Sequence, residues 1–402
     1  MPSKRVYREM NSEVASLWFV PANDGTEVAV LLKAPTSSIK ALIAGCSLRF
    51  TFGINDSYLC TGARVFDMPD APVSISGVQR ELEEHDALQR VLQERRFPIF
   101  LFNEMDVCLA WTNADLSVED ASRVFSLIDP ISELYNGVFT GDASHALDCF
   151  CFSIDNTDMY DSAYQIATVE TPVTVEDWRI INAVFIGHQD HHMITIDDED
   201  EGEMFERAIW SSLESVFPLT LYKSPQAQTG EKVREFTDVL TFYDYGSFLI
   251  EAKDLSILKA GYGRSQERRT NSVQKQTKKA IRQLIGASRA LKRGDAIFDA
   301  KGNELIPNRD QPPHCIILIT ELMHWGDWSE IEALLMDAIK TTGAFFHLID
   351  LREFITLLKG SSGDAKLLDY NLMGRFKHFV ETGSIHIRSQ IAPSQEGQHE
   401  KY

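Results

Sequence analysis

Short apolar runs separated by turn residues dominate the first half of the chain. Several of these runs are rich in β-branched and aromatic residues, which favour an extended backbone. The pattern therefore predicts a set of short strands, mostly antiparallel. The predicted strands are the segments VASLWFV, EVAVLLKA, KALIAGCSLRFTFGI and FPIFLF.

Two segments of the first half depart from this pattern. Between residues 79 and 96, apolar side chains recur at helical spacing among charged neighbours, which predicts one amphipathic helix. A second helix is predicted to begin near Ser117, where Ser-Val-Glu-Asp resembles a capping box. Strands and helices together predict an N-terminal α+β domain over residues 1–195. No motif in it indicates a reaction, so we expect it to sense a trigger or bind a partner.

The second half of the chain begins with an acidic block at residues 197–203. Like charges rarely lie inside a core, so the block indicates a domain boundary. A periodic helix follows over residues 203–216, with Phe205 and Ile209 on its apolar face. The predicted order is then hairpin, helix, strand, helix and strand, with a last helix ending near Glu381.

That order predicts an α/β fold for the second half. Strands alternating with helices favour a central mixed sheet that carries helices on both faces. We assign residues 196–390 to this domain. The polar tail, residues 391–402, is left outside it.

Charge is distributed unevenly along the chain. The net charge is −20, which by itself disfavours a surface that wraps a polyanion. Yet the stretch from Lys259 to Arg293 holds eleven basic residues and one acidic residue. Such local asymmetry predicts a patch that binds phosphate groups. Because the rest of the chain is strongly acidic, we expect a partner protein or a second copy of the chain to complete a track for nucleic acid.

Composition indicates the class of protein and the cellular compartment in which we expect it. The apolar fraction of 44% is typical of a globular protein. No stretch approaches the roughly 20 consecutive apolar residues of a membrane span, and the N-terminal segment lacks the apolar core of a signal peptide. Six cysteines occur without a CxxC pair, which favours reduced core thiols. We therefore expect a cytoplasmic protein with no membrane association.

Candidate chemistry lies in the predicted hairpin. Glu251 and Lys253 stand two apart on one strand, so their side chains project from the same face. A turn at about residues 244–246 places Glu251 opposite residue 238 or 239, which brings Asp238 within reach. Clustered carboxylates beside an ammonium group are what magnesium-assisted hydrolysis of a phosphodiester requires.

The segment from Glu235 to Lys253 resembles a known signature. The pattern Glu-Phe-Thr-Asp238-Val-Leu, a turn, and Phe-Leu-Ile-Glu251-Ala-Lys253 is similar to the D…ExK motif of the PD-(D/E)XK nuclease superfamily, in its Mrr-type and NERD-type domains. The likeness covers about residues 200–360. One departure is Thr237, where the family pattern has proline.

The resemblance implies a restriction-endonuclease-like fold and a metal-dependent DNA endonuclease, such as the effector of a bacterial anti-phage defence or restriction system. It implies that Mg²⁺, or Mn²⁺ as a substitute, is held by Asp238, Glu251, the carbonyl of Ala252 and Glu206. It also implies a glutamine from the basic helix, either Gln276, which we prefer, or Gln274. Cleavage is expected to leave a 5′-phosphate.

Two further interpretations stay open from the sequence. The chain could keep the nuclease fold without turnover and serve in nucleic-acid binding or complex assembly. The cluster His188-Gln-Asp-His191-His192 contains zinc-ligand residue types, but it lacks the HExxH spacing, so a polar loop is the favoured interpretation. Nucleic-acid contacts are predicted for the basic residues Arg264, Arg268, Arg269, Lys275, Lys278 and Lys279.

Overall fold

The computed structural model describes most of the chain and shows a mixed α/β protein, so the α/β class predicted from the sequence is confirmed. Two compact units are present, one formed mainly by Met1–Ala183 and the other mainly by Asp200–Ser256 and Glu267–Tyr402. No described helix combines the length and apolar character needed to cross a membrane. The described residues are 2–68, 70–155, 164–187, 191–196, 201–253 and 265–389.

The first unit is built on one nine-stranded sheet. Its strands are β1 (Ser16–Ala22), β2 (Glu27–Lys33), β3 (Leu48–Asn55), β4 (Tyr58–Val65), β5 (Val73–Val78), β6 (Arg96–Phe102), β7 (Cys108–Asp115), β8 (Thr168–Val175) and β9 (Arg179–Ile180). Their hydrogen-bonded order is β1-β2-β6-β7-β8-β3-β4-β5, with β9 paired to β7. Among the described pairs of this sheet, only β2–β6 is parallel.

Five described helices accompany this sheet. Ser117 caps the fourth helix, because its hydroxyl accepts a hydrogen bond from the Asp120 N–H at 3.0 Å, which confirms the predicted helix start. The helices are α1 (Lys4–Ser12), α2 (Thr36–Ile43), α3 (Leu82–Glu94), α4 (Val118–Ile128) and α5 (Gly141–Asp155).

One predicted strand is partly wrong. Residues 40–43, which we assigned to a strand, belong to the buried helix α2, and β3 begins only at Leu48. Helix α2 buries most of its side chains, Ser38 and Lys40 included, so its sequence shows no amphipathic period and ends within the short apolar run at residues 41–44. A short run of that kind does not distinguish a buried helix from a buried strand.

The second unit contains a five-stranded sheet in the order β12-β15-β16-β19-β20 and a four-stranded sheet in the order β14-β13-β17-β18, while β10 pairs with β11. Its strands are β10 (Ala183–Ile186), β11 (His191–Ile194), β12 (Leu221–Lys223), β13 (Gln226–Thr229), β14 (Lys232–Glu235), β15 (Val239–Tyr243), β16 (Gly246–Lys253), β17 (Ala296–Phe298), β18 (Glu304–Leu305), β19 (His314–Ile319) and β20 (Phe345–Asp350).

Long helices pack against the five-stranded sheet. Leu249 and Ile317 share one core cluster with apolar residues of α7 (Gln266–Arg293) and α8 (Ser329–Thr342). Phe248 alternates to the opposite face and contacts Phe217, with ring centroids 5.2 Å apart. The described helices of this unit are α6 (Glu201–Glu214), α7 (Gln266–Arg293), α8 (Ser329–Thr342), α9 (Leu351–Ser361) and α10 (Ala365–Thr382).

Candidate active site

The candidate site lies at one end of the β15–β16 hairpin. The last residues paired across the hairpin are Val239 and Ile250. Asp238 therefore stands one position before β15, where the register, if continued, would place it opposite Glu251. Glu251 and Lys253 are among the last three residues of β16. Their side chains project from the same face of the strand as the side chain of Leu249.

Backbone and hydroxyl contacts fix the position of Asp238. Its Oδ2 accepts a hydrogen bond from the Ala252 N–H at 2.8 Å. One residue earlier, the buried Thr237 hydroxyl donates to the Ile250 carbonyl at 2.8 Å. A proline at residue 237 has no hydroxyl and could not make this bond. Threonine instead attaches this segment of the chain to β16 through its side chain. The aspartate is thus held against the strand that carries its two partners.

Lys253 joins the two acids. Its ammonium donates to Asp238 Oδ2 at 2.8 Å and to Glu251 Oε2 at 2.9 Å. Both carboxylates consequently lie within one hydrogen-bond length of a single nitrogen. Glu251 is almost fully buried, at 1% exposure, and the other two side chains retain limited access to solvent. We call these three residues the acid–lysine cluster.

Burial and mutual contact perturb the cluster's protonation. Burial, followed by the charge of Asp238, raises the pKa of Glu251 to about 7, although Lys253 opposes the shift. Burial lowers the pKa of Lys253, but the carboxylates of Glu251 and Asp238 outweigh it and the net shift is upward. The amine therefore remains an ammonium ion at neutral pH, and Glu251 titrates within the physiological range.

Parallel strand ends surround the cluster. Lys253 pairs in register with Ile319 of β19, and β19 is parallel to β20, so the carboxyl ends of three strands meet at this edge of the sheet. Glu321 follows β19 directly and binds Arg269 of α7 at 2.6 Å. The N-terminal turns of the basic helix are thus attached to the same edge as the acid–lysine cluster.

Glu206, on α6, is near the cluster without bonding to it. Its carboxylate pairs with Lys223 of β12 at 3.5 Å. Burial and then the charge of Asp238 raise the pKa of Glu206, so the two acids sense each other electrostatically. Nothing in the sequence pattern indicates a role for Lys223. Its strand is only three residues long, and its pairing with β15 becomes apparent only from the sheet order.

The two candidate glutamines of α7 are not bonded to the cluster. Gln274 donates from its amide to the Asp327 carbonyl at 2.7 Å. Gln276 is half-buried, and it makes no hydrogen bond to the acid–lysine cluster within the part of the chain that the structure describes. The structure therefore brings together Asp238, Glu251 and Lys253 and leaves both glutamines apart from them.

The predicted phosphate contacts divide into two groups. Arg268, Lys275 and Lys279 are exposed on α7. Arg269 is buried against Glu321, and Lys278 pairs with Glu330 at 2.5 Å. Arg264 lies outside the described residues.

A bound metal ion needs several donor groups close together. Within the described ranges, no group of three or more His, Cys, Asp and Glu side chains is arranged to hold a metal ion. Residues 188–190 of the histidine-containing segment lie outside the described residues. The acid–lysine cluster offers two carboxylates and the neighbouring Ala252 carbonyl. Because Mg²⁺ commonly binds through one or two carboxylates and completes its shell with water and phosphate oxygens, this donor set fits the ion.

Comparison of the chain with protein-family models, with curated proteins and with solved structures yields no match.

Proposed function

We propose that the chain is a metal-dependent nuclease that hydrolyses phosphodiester bonds, with DNA as the substrate. The observation that carries the proposal is the contact of Lys253 with both Asp238 and Glu251, at 2.8 and 2.9 Å, at the carboxyl ends of parallel strands. A buried pair of acids that share one ammonium group is typical of a functional site, because it is costly to maintain for stability alone.

Asp238, Glu251 and the Ala252 carbonyl would hold Mg²⁺, with Glu206 as a further acid near Asp238. When bound, Mg²⁺ supplies Lewis acidity and lowers the pKa of water. The protein's own part is to keep the two carboxylates in place. The Ala252 N–H and the Thr237 hydroxyl do so for Asp238 and the strand beside it.

Lys253 acts as a cation in this proposal. Its raised pKa makes proton abstraction from water unfavourable at neutral pH, which argues against a general base at this position. An ammonium group is well suited to donate a hydrogen bond to a phosphate oxygen and to stabilise the negative charge that develops there. Lys253 could either deprotonate the attacking water or orient it and stabilise charge, and the electrostatics support the second role.

Basic residues of α7 would neutralise the phosphates beside the cut bond. Arg268, Lys275 and Lys279 are exposed and so are available for such contacts, which position a backbone without reading its sequence. The chain as a whole carries a net charge of −20. We therefore include in the proposal a partner protein or a second copy that extends the basic surface.

The alternative is a binding or assembly module without turnover. The observation that favours it is that Lys253 already pairs with both acids, so the cluster is electrically compensated by the chain itself. Only a measurement of turnover separates the two functions.

The test is incubation of the full chain with plasmid, linear and single-stranded DNA and with RNA, in Mg²⁺, Mn²⁺ or EDTA. We expect cleavage of DNA in Mg²⁺ and Mn²⁺ and none in EDTA, because the carboxylates need a divalent ion. Asp238→Asn should abolish cleavage, whereas Asp337→Asn, at an exposed position on α8, should leave it unchanged. Binding of DNA without cleavage in any metal would support the assembly module and overturn the proposal.

Mg²⁺ binding should depend on pH through Glu251. Its pKa of about 7 means that below this pH a proton must leave before the carboxylate binds the ion. We expect the apparent affinity for Mg²⁺ to weaken about tenfold for each pH unit below 7 and to level off above it. Calorimetric titration from acid to mildly alkaline pH measures this. A flat profile would contradict the assignment, and Glu251→Gln should bind weakly at every pH.

A further inference from the structure

The first unit contains a cavity that has no part in the proposed nuclease site. Its volume is about 370 Å³, within the range of small-molecule sites. It is lined by residues of α1, β1, β4, β5, α3 and α5 and of the segments next to them. Residues of the wall that matter for recognition are Glu9, Glu13, Trp18, Gln79, Arg80 and Glu84.

Gln79 is the unusual member of this wall. The residue is 3% exposed, and neither its Oε1 nor its Nε2 has a hydrogen-bond partner among the described residues. Its backbone is fixed, because the Gln79 N–H donates to the Leu59 carbonyl at 2.9 Å. A buried amide without partners is costly, because its polar groups have lost their hydrogen bonds to water without replacement. Such a residue is expected where a ligand supplies the partners.

The charges of the wall limit what the ligand can be. Arg5, behind the wall, binds both Glu9 and Glu84, and Arg80 approaches Glu9 at 3.9 Å. Glu13, in contrast, forms no ion pair within the described part of the chain, although the charge of Arg80 also acts on its carboxylate. The three acids around the cavity outnumber the two arginines, so an anionic ligand is disfavoured relative to an uncharged one.

The amide of Gln79 further limits which ligands the cavity can bind. It carries one acceptor and one donor side by side, and both atoms are nearly closed off from solvent in the observed conformation. Once turned toward the cavity, the amide needs a partner that offers a donor next to an acceptor. The edge of a nucleobase does so, and glutamine pairs with adenine in this way. A simple amine or guanidinium group has donors only and would leave Nε2 unpaired. The last torsion of a glutamine is soft, which lets the amide turn toward such an edge.

A flat ligand also has surfaces to stack on. The Arg80 guanidinium lies 5.8 Å from the centroid of the Phe139 ring, and both side chains line the cavity with Trp18. Planar guanidinium and aromatic groups both stack on heterocycles. We propose that this cavity binds an uncharged nucleobase or nucleoside, with the Gln79 amide pairing to the edge of the base.

The test is calorimetric or NMR titration of the full chain with adenine, adenosine, cytidine and uridine, and with AMP as the anionic counterpart of adenosine. We expect saturable binding of at least one free base or nucleoside. Comparison of adenine with adenosine distinguishes a free base from a nucleoside. AMP should bind several-fold more weakly than adenosine, and Glu13→Gln should narrow that difference.

Gln79→Met keeps the length of the side chain but removes its donor and acceptor, and it should weaken binding about tenfold or more. Gln89→Met, at an exposed position on α3 away from the cavity, should bind as the parent does. If Gln79→Met fails to fold by circular dichroism, Gln79→Asn replaces it, because the shorter side chain withdraws the amide. Absence of binding to every probe, or equal binding by the folded Gln79 variant, would overturn the proposal. Neither result bears on DNA cleavage, so this proposal and the nuclease proposal fail separately.

Discussion

Replacing Lys253 by methionine is expected to slow DNA cleavage about a hundredfold to a thousandfold, the usual effect of removing one donor that stabilises developing charge. The ammonium is held at 2.8 and 2.9 Å from Asp238 and Glu251, so it is positioned before substrate binds. Methionine has a similar length and no charge. The initial rate of Mg²⁺-dependent plasmid cleavage, at saturating metal, measures the effect.

Two further variants distinguish the effect of losing the positive charge from the effect of disturbing the strand. Lys253→Arg retains a cation and should recover part of the lost rate. Lys340→Met, at an exposed position on α8, should cleave at the parental rate. A Lys253→Met protein that is folded and cleaves within threefold of the parent would show that the ammonium has no role in the transition state.

Much of this hairpin could be predicted because its information is local. Alternation of side chains along a strand puts Glu251 and Lys253 on one face, and the position of the turn sets which residue comes opposite. The sequence predicts the turn at about residues 244–246, and the paired residues Tyr243 and Gly246 flank it in the structure. The predicted strand over residues 235–243 is interrupted, since Phe236, Thr237 and Asp238 lie between β14 and β15.

The contacts that tune the site were not predictable in the same way. In the sequence, Thr237 is notable only because the family pattern has proline there. In the structure, its hydroxyl holds the segment before Asp238 to β16. Glu206 was a candidate for the metal, but its pairing with Lys223 depends on the order of strands that are distant in sequence. The exposed or paired state of Arg269 likewise depends on Glu321, 52 residues away. Local periodicity carries no information about such contacts.

Replacing Arg375 by methionine is expected to lower the free energy of unfolding of the second unit by about 3–5 kcal/mol, because it leaves a buried charge without its partner. Arg375 is 6% exposed and binds Glu353, itself 2% exposed, at 3.0 Å. It also donates to the Leu348 carbonyl at 3.0 Å and to the Ile387 carbonyl at 2.8 Å. One side chain therefore connects β20, α9 and the segment after α10.

The loss of free energy of unfolding in this unit is measured by urea titration, with hydrogen exchange of peptides from residues 345–389 as the readout. Lys377→Met, two residues along α10 but exposed, should change the free energy by less than about 0.5 kcal/mol, because surface ion pairs contribute little. Combining Arg375→Met with Glu353→Leu removes both charges, and part of the stability should return, since an apolar pair needs no charge compensation. The double variant could instead lose as much free energy of unfolding as the two single variants together. In that case the bonds of Arg375 to the two carbonyls, and not the ion pair, would account for its contribution to stability.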